Sequence, residues 1–507
     1  MIVERQDETE AFLKDRLQPA TVIGTHISTV VLGEATVFKL KRAVRLPYLD
    51  FSTPALRLAA CQHELALNRR TAPALYRAVR RVTRASGGGL DLDGEGMLVD
   101  CVVEMARFPD DALLATRVDR GVTDAAEIEA LARVLAAFQA PLSPVPGSGS
   151  QRMAAVLAVN VAGFAASGVL AAADAAALGA AFDATFARLV PVLDARAVAG
   201  FVRLGHGDLT LRNIAVIDGI PTPFDALEFD DALATTDVAY DVAFPIMDLW
   251  HHGRADLASV LANRWIDITG DAGAVALLPF CMAVRAAVRA HVAGTLAADG
   301  GPKAAAVRAE ALAYVATARA CLAPSAPRLV AIGGLSGSGK STAAAGLAPS
   351  LGTPPGARVL SSDRIRKQMF GVAPTDRLPA TAYEPAVSER VYGAMRDAAA
   401  AVLAEGRSAV VDAVFDRPQD REAIAAVAWH AGVPFAGFWL SAPAATLHDR
   451  IRLRRGDPSD ATGAVLEGQL ARADGAPDWT PVDTQGGPDA AIATLLAAIP
   501  AAVTAVR

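Results

Sequence analysis

The sequence predicts two domains: an α+β domain with a small strand-rich lobe ahead of a larger helical lobe, then an α/β domain on a parallel sheet. Three observations lead there. Leu329–Thr342 reads LVAIGGLSGSGKST, an apolar strand-like run, a glycine-rich turn and the start of an alanine-rich helical stretch. Leu322–Arg328, LAPSAPR, carries two prolines and no periodicity, which marks a boundary. Ahead of Phe108–Asp111 short strand-like runs alternate with one helix, and after it helices dominate as far as Phe201. The expected parts are residues 1–322, with a small lobe over 1–107 and a helical lobe over 108–322, and residues 328–507. A chain of 507 residues has room for such a division, at roughly 100–200 residues per domain.

Composition narrows the class. Lys and Arg number 48 against 54 Asp and Glu, for a formal charge of −6, and 52% of residues are hydrophobic. That apolar content excludes a disordered chain, and the acidic balance argues against a generic nucleic-acid coat. Aromatics are 6%, too few for base-stacking platforms. The apolar excess is mostly alanine, a strong helix former and a weak membrane anchor. Met153–Ala173 has no charge and the length to span a bilayer. Its Ala, Val, Gly, Ser and Asn160 content reads instead as a packed helix or two, and Ala490–Val506, with Pro500, reads the same way. The opening MIVERQDETE is acidic and polar, unlike a signal peptide. Cys61, Cys101, Cys281 and Cys321 form no CxxC pair, so reduced thiols in a cytoplasmic protein are expected. Neither a membrane nor a nucleic-acid partner is expected.

The small lobe has legible elements. Thr29–Leu32 and Thr36–Val44 flank Gly33-Glu34, a hairpin pattern. Ser52-Thr53-Pro54 predicts a capped helix start, with the helix running to about Arg70. Met97–Met105 reads as a strand. In Val37–Lys41, alternation puts Lys39 and Lys41 on one face and Phe38 and Leu40 on the other.

The first chemical constellation is Phe201–Asp241. His206-Gly207-Asp208 is followed by Asn213, Asp225 and Glu228, and the His-x-Asp-x4-Asn spacing matches the catalytic loop of protein kinases. Phosphoryl transfer to a hydroxyl needs a carboxylate to take the hydroxyl proton and oxygen ligands for Mg²⁺. Asp208 suits the base, and Asn213 and Asp225 the metal. Ile214–Ile217, a turn at Asp218-Gly219 and Pro223-Phe224-Asp225 should form a hairpin that returns Asp225 beside Asn213. HGDL, Asn213 and FDALE resemble the aminoglycoside phosphotransferase family, which implies a protein-kinase-like α+β fold. Asp225 is followed by Ala226-Leu227-Glu228 rather than Phe-Gly, so no activation-loop switching is inferred.

Such a fold needs a phosphate-facing lysine held by a helical glutamate. The chain has six lysines: Lys14, Lys39, Lys41, Lys303, Lys340 and Lys367. Lys39 paired to Glu64 is the first expectation and Lys41 the second. No glycine-rich GxGxxG precedes this strand. From Ile214 to Gly253 there is no Lys or Arg but eight Asp and Glu, a pattern that would suit a cationic acceptor or a solvated acidic helix face.

The second constellation is Gly334-x4-Gly339-Lys340-Ser341, a complete Walker A pattern between strand and helix. The loop Gly334, Ser336, Gly337, Ser338, Gly339, Lys340, Ser341 and Thr342 should wrap phosphates with backbone N–H groups, with Lys340 on the β/γ-phosphates and Ser341 on Mg²⁺. Val359–Asp363 reads as the next strand. Asp363-Arg364-Ile365-Arg366 resembles the Asp-x-x-Arg of small-molecule and polynucleotide P-loop kinases, which implies that Asp363 activates the acceptor hydroxyl and Arg366 orients the acceptor; Asp363 could equally cap a helix. Ala409–Asp412 is a strand ending in a second metal carboxylate, Asp412, and no Glu adjoins it, which favours a kinase over a motor ATPase. In Leu447–Arg455, Arg450 and Arg454 are spaced i,i+4, on one helix face, and form an expected lid, which Asp457–Thr462 would turn. This half resembles predicted P-loop kinases related to gluconate kinase, zeta toxin and phage polynucleotide kinases, an α/β P-loop NTPase fold.

Together, THIS, VFKLKRAV, HGDL and FDALEF followed by GGLSGSGKST, SSDRIRK and DPSDA resemble bacterial bifunctional aminoglycoside phosphotransferase/ATP-binding proteins over nearly the whole chain. The resemblance implies two nucleotide-binding modules using ATP and Mg²⁺, with a small-molecule hydroxyl as acceptor. Two alternatives stand beside it: a P-loop half that senses nucleotide and regulates the other, or a pseudokinase scaffold fused to a P-loop kinase.

Overall fold

Alternating side chains and tight turns build a six-stranded antiparallel sheet from the first hundred residues in the computed structural model. The structure describes residues 3–46, 49–298, 300–454, 456–472 and 478–499, and every count below is of these. The strands lie in the order Thr21–Gly24, Ser28–Leu32, Thr36–Lys41, Met97–Ala106, Tyr76–Arg84, Leu90–Leu92. The expected hairpin closes at Gly33, whose N–H donates to Thr36 O at 2.9 Å. Helix Pro54–Asn68 starts as expected, with Thr53 Oγ1 accepting from Leu56 N–H at 3.3 Å. It ends before Arg70. That side chain donates instead to Leu204 O at 2.9 Å and Gly205 O at 2.8 Å, at the entrance to the His206 loop.

The sheet buries both faces. Cys61, Ala72, Tyr76, Cys101 and Val103 pack with Val37 under the helix. Leu13, Val31, Phe38, Leu40, Val82 and Val102 pack on the other side. Lys39 and Lys41 therefore share the helix side, as the alternation requires. Arg57 and Asp100 are both buried, with Nε to Oδ1 at 2.8 Å and Nη2 to Oδ2 at 3.2 Å. The four cysteines are buried, and none forms a disulfide among the described residues.

Contacts divide the chain into two compact units, Met1–His252 with His291–Ala304, and Gly253–Ala290 with Ala305–Arg507. The first unit adds helices to the sheet. The uncharged stretch at 153–173 falls on two of them, Gly149–Ser167 and Ala172–Val198, separated at Gly168, whose φ is 56°. Two helices, Ala172–Val198 and Ala274–Ala298, are long and apolar enough to cross a membrane.

The second unit is a parallel sheet in the order Arg358–Ser361, Ala409–Asp412, Leu329–Gly334, Phe435–Ser441, Thr480–Asp483. All four pairings are parallel. Its central strand, Leu329–Gly334, is buried throughout. One face carries helices Lys340–Leu347 and Pro488–Ala498, whose Ala344, Leu347, Ala491 and Leu495 join Val330, Ile332, Val359 and Phe438 in the core. Pro500–Val506 of the second apolar stretch lie outside the described residues. Helix Ala255–Thr269 also belongs to this unit. Asn263 Oδ1 accepts from Val359 N–H at 2.8 Å, its Nδ2 donates to Ala357 O at 3.2 Å, and Asp267 pairs with Arg358. The Leu322–Arg328 break thus marks where the chain enters the parallel sheet, while helices ahead of it pack with that sheet.

Removing one partner of a buried ion pair leaves a charge without compensation. Arg57→Ala is expected to cost about 3–5 kcal/mol, read as a lowered midpoint in urea unfolding of the whole chain.

Candidate active sites

In the first unit, strands Ile214–Ile217 and Ile220–Pro223 pair antiparallel through a turn at Asp218 (φ 49°) and Gly219 (φ 77°). Phe224 N–H then donates to Asn213 O at 2.8 Å, so Asp225 returns next to Asn213, as the spacing predicts. Asn213 Nδ2 donates to the Asp208 carboxylate Oδ2 and to its backbone O, each at 2.9 Å. Asp208, Asn213 and Asp225 are brought together.

The loop that presents them is held from below. Asp241, on helix Val238–His251, accepts from His206 N–H at 2.9 Å and Gly207 N–H at 3.0 Å. Asp248, two turns on, accepts from Leu211 N–H at 3.0 Å. Gly207 has φ 81°, and a Cβ there would fall 2.8 Å from Leu227 Cβ, so glycine is required. His206 is fully buried, and burial lowers its pKa below the usual imidazole value, so it shapes the loop as a neutral ring.

Lys39 Nζ donates to Glu64 Oε1 at 2.8 Å and also contacts Asp225. Lys41 Nζ lies 2.6 Å from Glu64 Oε2 and contacts Glu228. One glutamate therefore serves both lysines. Lys39 keeps 13% exposure and Lys41 none, so of the two lysines only Lys39 is reachable from solvent, and Lys41 ties Glu64 to Glu228 inside the fold. Burial acts most strongly on Glu64 and would raise its pKa, but Lys39 and Lys41 outweigh it and hold the carboxyl down at about 2. Burial likewise opposes the charge on Lys39, and Asp225 and Glu64 overcome it, keeping the amine well above its usual value.

Sequence reasoning missed the supports of this site. Asn68 Oδ1 accepts from Ala226 N–H at 2.8 Å, and Tyr76 OH accepts from Asp225 N–H at 3.1 Å. Together they hold Asp225 at φ 60°, a left-handed conformation uncommon outside glycine. Asn68 follows Glu64 by four residues, on one helix face, and that spacing is a readable signal. The acidic run is largely engaged within the fold. Asp237 binds Arg196 at 2.7 Å, Asp230 caps a helix, Asp231 meets His63 at 2.9 Å, and Asp241 and Asp248 hold the loop. It therefore lends no support to a cationic acceptor.

In the second unit, Gly334, Gly337 and Gly339 take φ of 143°, 87° and 91° and turn the backbone around the loop. A Cβ on Gly337 would sit 2.6 Å from Leu447 O. Lys340, Ser341 and Thr342 open helix Lys340–Leu347, so the helix N-terminus faces the loop. Burial lowers the Lys340 pKa to about 8, against the pull of Asp363 and Asp412. Ser341 Oγ donates to Asp412 Oδ2 at 2.8 Å. Asp412 is raised to about 6, chiefly by burial, and its Oδ1 is buried with no hydrogen-bond partner among the described residues.

That orphaned oxygen beside a serine hydroxyl fits a hard divalent cation. The described residues hold no group of three His, Cys, Asp or Glu that could bind a metal alone. Mg²⁺ commonly takes one or two carboxylates and completes its shell with phosphates and water, so each site's donor set fits it. Ser341 and Asp412 would hold the ion in the second unit, and Asn213 and Asp225 in the first.

Asp363 lies in the first turn of helix Ser362–Met369, whose N-cap is Ser361, so it is not the cap. Burial raises its pKa above the usual carboxylate range, against a hydrogen bond with Ser459. Arg366 Nη1 donates to Ala382 O at 2.6 Å, and its guanidinium lies 4.8 Å from the Tyr383 ring centre. Arg450 donates to Thr484 O at 2.6 Å and Gly337 O at 3.4 Å. The shared helix face expected for Arg450 and Arg454 is not formed. The helix ends at Leu453, and Arg454 is extended, with ψ 139°. Both arginines nevertheless line one cleft of about 750 Å³ with Ser336, Lys340, Ser341, Asp363, Arg366 and Asp412.

The same cleft takes Tyr383, Tyr392 and Gln469, which the motifs did not mark, and Asp460 of the DPSDA run. Asp460, in the expected Asp457–Thr462 turn, accepts from Lys367 Nζ and from Tyr383 OH, each at 2.6 Å. These residues come from segments far apart in the chain, so spacing carries no signal for them.

A family profile described as an AAA domain matches residues 329–476. The uncharacterized protein Rv2004c of Mycobacterium tuberculosis is 30% identical over 475 residues, covering 91% of this chain and 92% of the relative. A choline/ethanolamine kinase family protein from Mesorhizobium loti is 13% identical over 62% of this chain and 94% of its own, with a TM-score of 0.41. A gluconokinase from Sinorhizobium meliloti is 21% identical over 34% of this chain and 90% of its own, with a TM-score of 0.25. The fold class is a protein-kinase-like α+β domain followed by an α/β P-loop domain on a parallel sheet. The chain belongs to the same family as Rv2004c.

The lysine–glutamate cluster sets an acid limit. Because the folded Glu64 carboxyl is depressed from its usual 4.5 to about 2, its stabilisation is complete above about pH 4.5 and is lost as pH falls toward 2. The stability gap between the wild type and Glu64→Gln, measured by urea unfolding, should shrink across that window.

Proposed function

We propose that the chain is an ATP- and Mg²⁺-dependent phosphotransferase with two nucleotide sites, each passing the γ-phosphoryl group to a hydroxyl of a small molecule. The observation that carries the reading is the second unit's cleft, where the phosphate loop, the Ser341–Asp412 pair and buried Asp363 line one space. When bound, magnesium nucleotide supplies an activated phosphoryl group whose charge the metal partly neutralises.

This chain's residues do the rest. Loop N–H groups and Lys340 bind the phosphates, and Asp363 accepts the proton of the acceptor hydroxyl. Arg366, seated against Tyr383, shapes the acceptor end, while Arg450 and Arg454 place positive charge along the cleft. In the first unit Asp208 is the proton acceptor, oriented by Asn213, and Lys39, held by Glu64, meets the phosphates.

One observation favours a second reading. Lys39 is shared between Glu64 and Asp225, so the first site is tied by an internal ion pair, as suits a half that the P-loop domain regulates.

Calorimetry with a non-hydrolysable ATP analogue should find two binding events, of which Lys340→Ala removes one. With labelled ATP and a cell metabolite extract, Asp208→Ala and Asp363→Ala should each abolish a different labelled product, slowing transfer roughly 10²–10⁴-fold. If Lys340→Ala acts only by altering the Asp208 product, the regulatory reading replaces this one. If no hydroxyl compound gains phosphate, the phosphotransferase proposal falls.

A further inference from the structure

Ser336 lies in the phosphate loop with its backbone N–H buried, and that N–H donates to Gln469 Oε1 at 2.8 Å. An N–H can only donate, so the contact sets the orientation of the carboxamide: the oxygen meets the loop and the amino group points away from it. Gln469 is 7% exposed and lines the cleft beside Lys340, Ser341 and Asp363. Its amino group makes no hydrogen bond to any described residue. With its oxygen engaged by the loop and its amino group bound to no described residue, Gln469 presents a donor to the cleft that it lines with Lys340, Ser341 and Asp363.

The supporting structure is consistent with this placement. Gln469 arrives on helix Gly463–Arg472, which Glu467 ties to His448 of helix Ala444–Leu453 at 2.6 Å. That second helix sends Arg450 to Gly337 O at 3.4 Å. Two successive residues of the phosphate loop are thus held by the two helices that flank the Asp457–Asp460 turn.

On the P-loop reading above, we infer that Gln469 contacts the transferable phosphoryl group, its Oε1 fixing Ser336 while its amino group donates to a phosphoryl oxygen. One side chain then couples the flanking helix to the presence of a third phosphate. A residue serving only to brace the helix would need the acceptor and not the donor.

Gln469→Glu separates the two roles. It keeps the length and the acceptor for Ser336 N–H, and it replaces the donor by an anionic oxygen. Affinities for ADP and for a non-hydrolysable ATP analogue are measured by calorimetry on the full chain, for the binding event that Lys340→Ala removes. In Gln469→Glu the preference for the ATP analogue over ADP should fall roughly tenfold or more, with the thermal midpoint unchanged. In Gln469→Met, which has neither group, the preference should fall several-fold. A preference equal to wild type in both variants overturns the inference and leaves the P-loop reading intact. A wild type with no event sensitive to Lys340→Ala overturns the P-loop reading and this inference together.

Discussion

A carboxylate buried without cations is very costly, and Glu64 is fully buried. Lys39 and Lys41 answer that constraint from a strand whose alternation places both on the helix side. The same Nζ atoms also reach Asp225 and Glu228, so the strand, the helix and the loop after the second hairpin are locked in one charge network. The rotation of helix Pro54–Asn68 that turns Glu64 toward the strand serves the same network. Asn68 extends the same logic, holding the Asp225 loop from one turn further along the helix.

The second unit answers a different constraint. Phosphate binding needs backbone N–H groups turned inward, and only glycine takes the required positive φ at Gly334, Gly337 and Gly339 at little cost. The loop then depends on its surroundings to stay in place. The fully buried central strand anchors its start, helix Lys340–Leu347 its end, and Gln469 and Arg450 its outer turn. Asp412, at the end of the adjacent parallel strand, meets Ser341 because the two strands run in register.

Both chemical centres were legible where the chemistry depends on short spacing. HGDL to Asn213, the hairpin returning Asp225, and the glycine loop through Ser341 are local patterns, and local backbone geometry enforces them. The unmarked residues are those whose position depends on distant segments: Tyr76, Asp241 and Asp248 in the first unit, and Tyr383, Tyr392 and Gln469 in the second. The acidic run shows the same limit. Its composition left a cationic acceptor and a solvated acidic helix face both open, whereas its carboxylates serve Arg196, His63, helix caps and the His206 loop.

The sequence by itself determined the fold classes, the strand–loop–helix of the phosphate site and the order of the kinase-like loop, because each rests on periodicity or on glycine's conformational freedom. Tertiary structure decided which of the two lysines keeps access to solvent. Lys39 and Lys41 are equivalent by alternation and differ only in what covers them. It also decided the fate of Arg454, which leaves its helix at Leu453, and it placed helix Ala255–Thr269 against the parallel sheet through Asn263 and Asp267. These are questions of burial and of long-range hydrogen bonds, whose partners lie tens to hundreds of residues apart and leave no periodic trace in the chain.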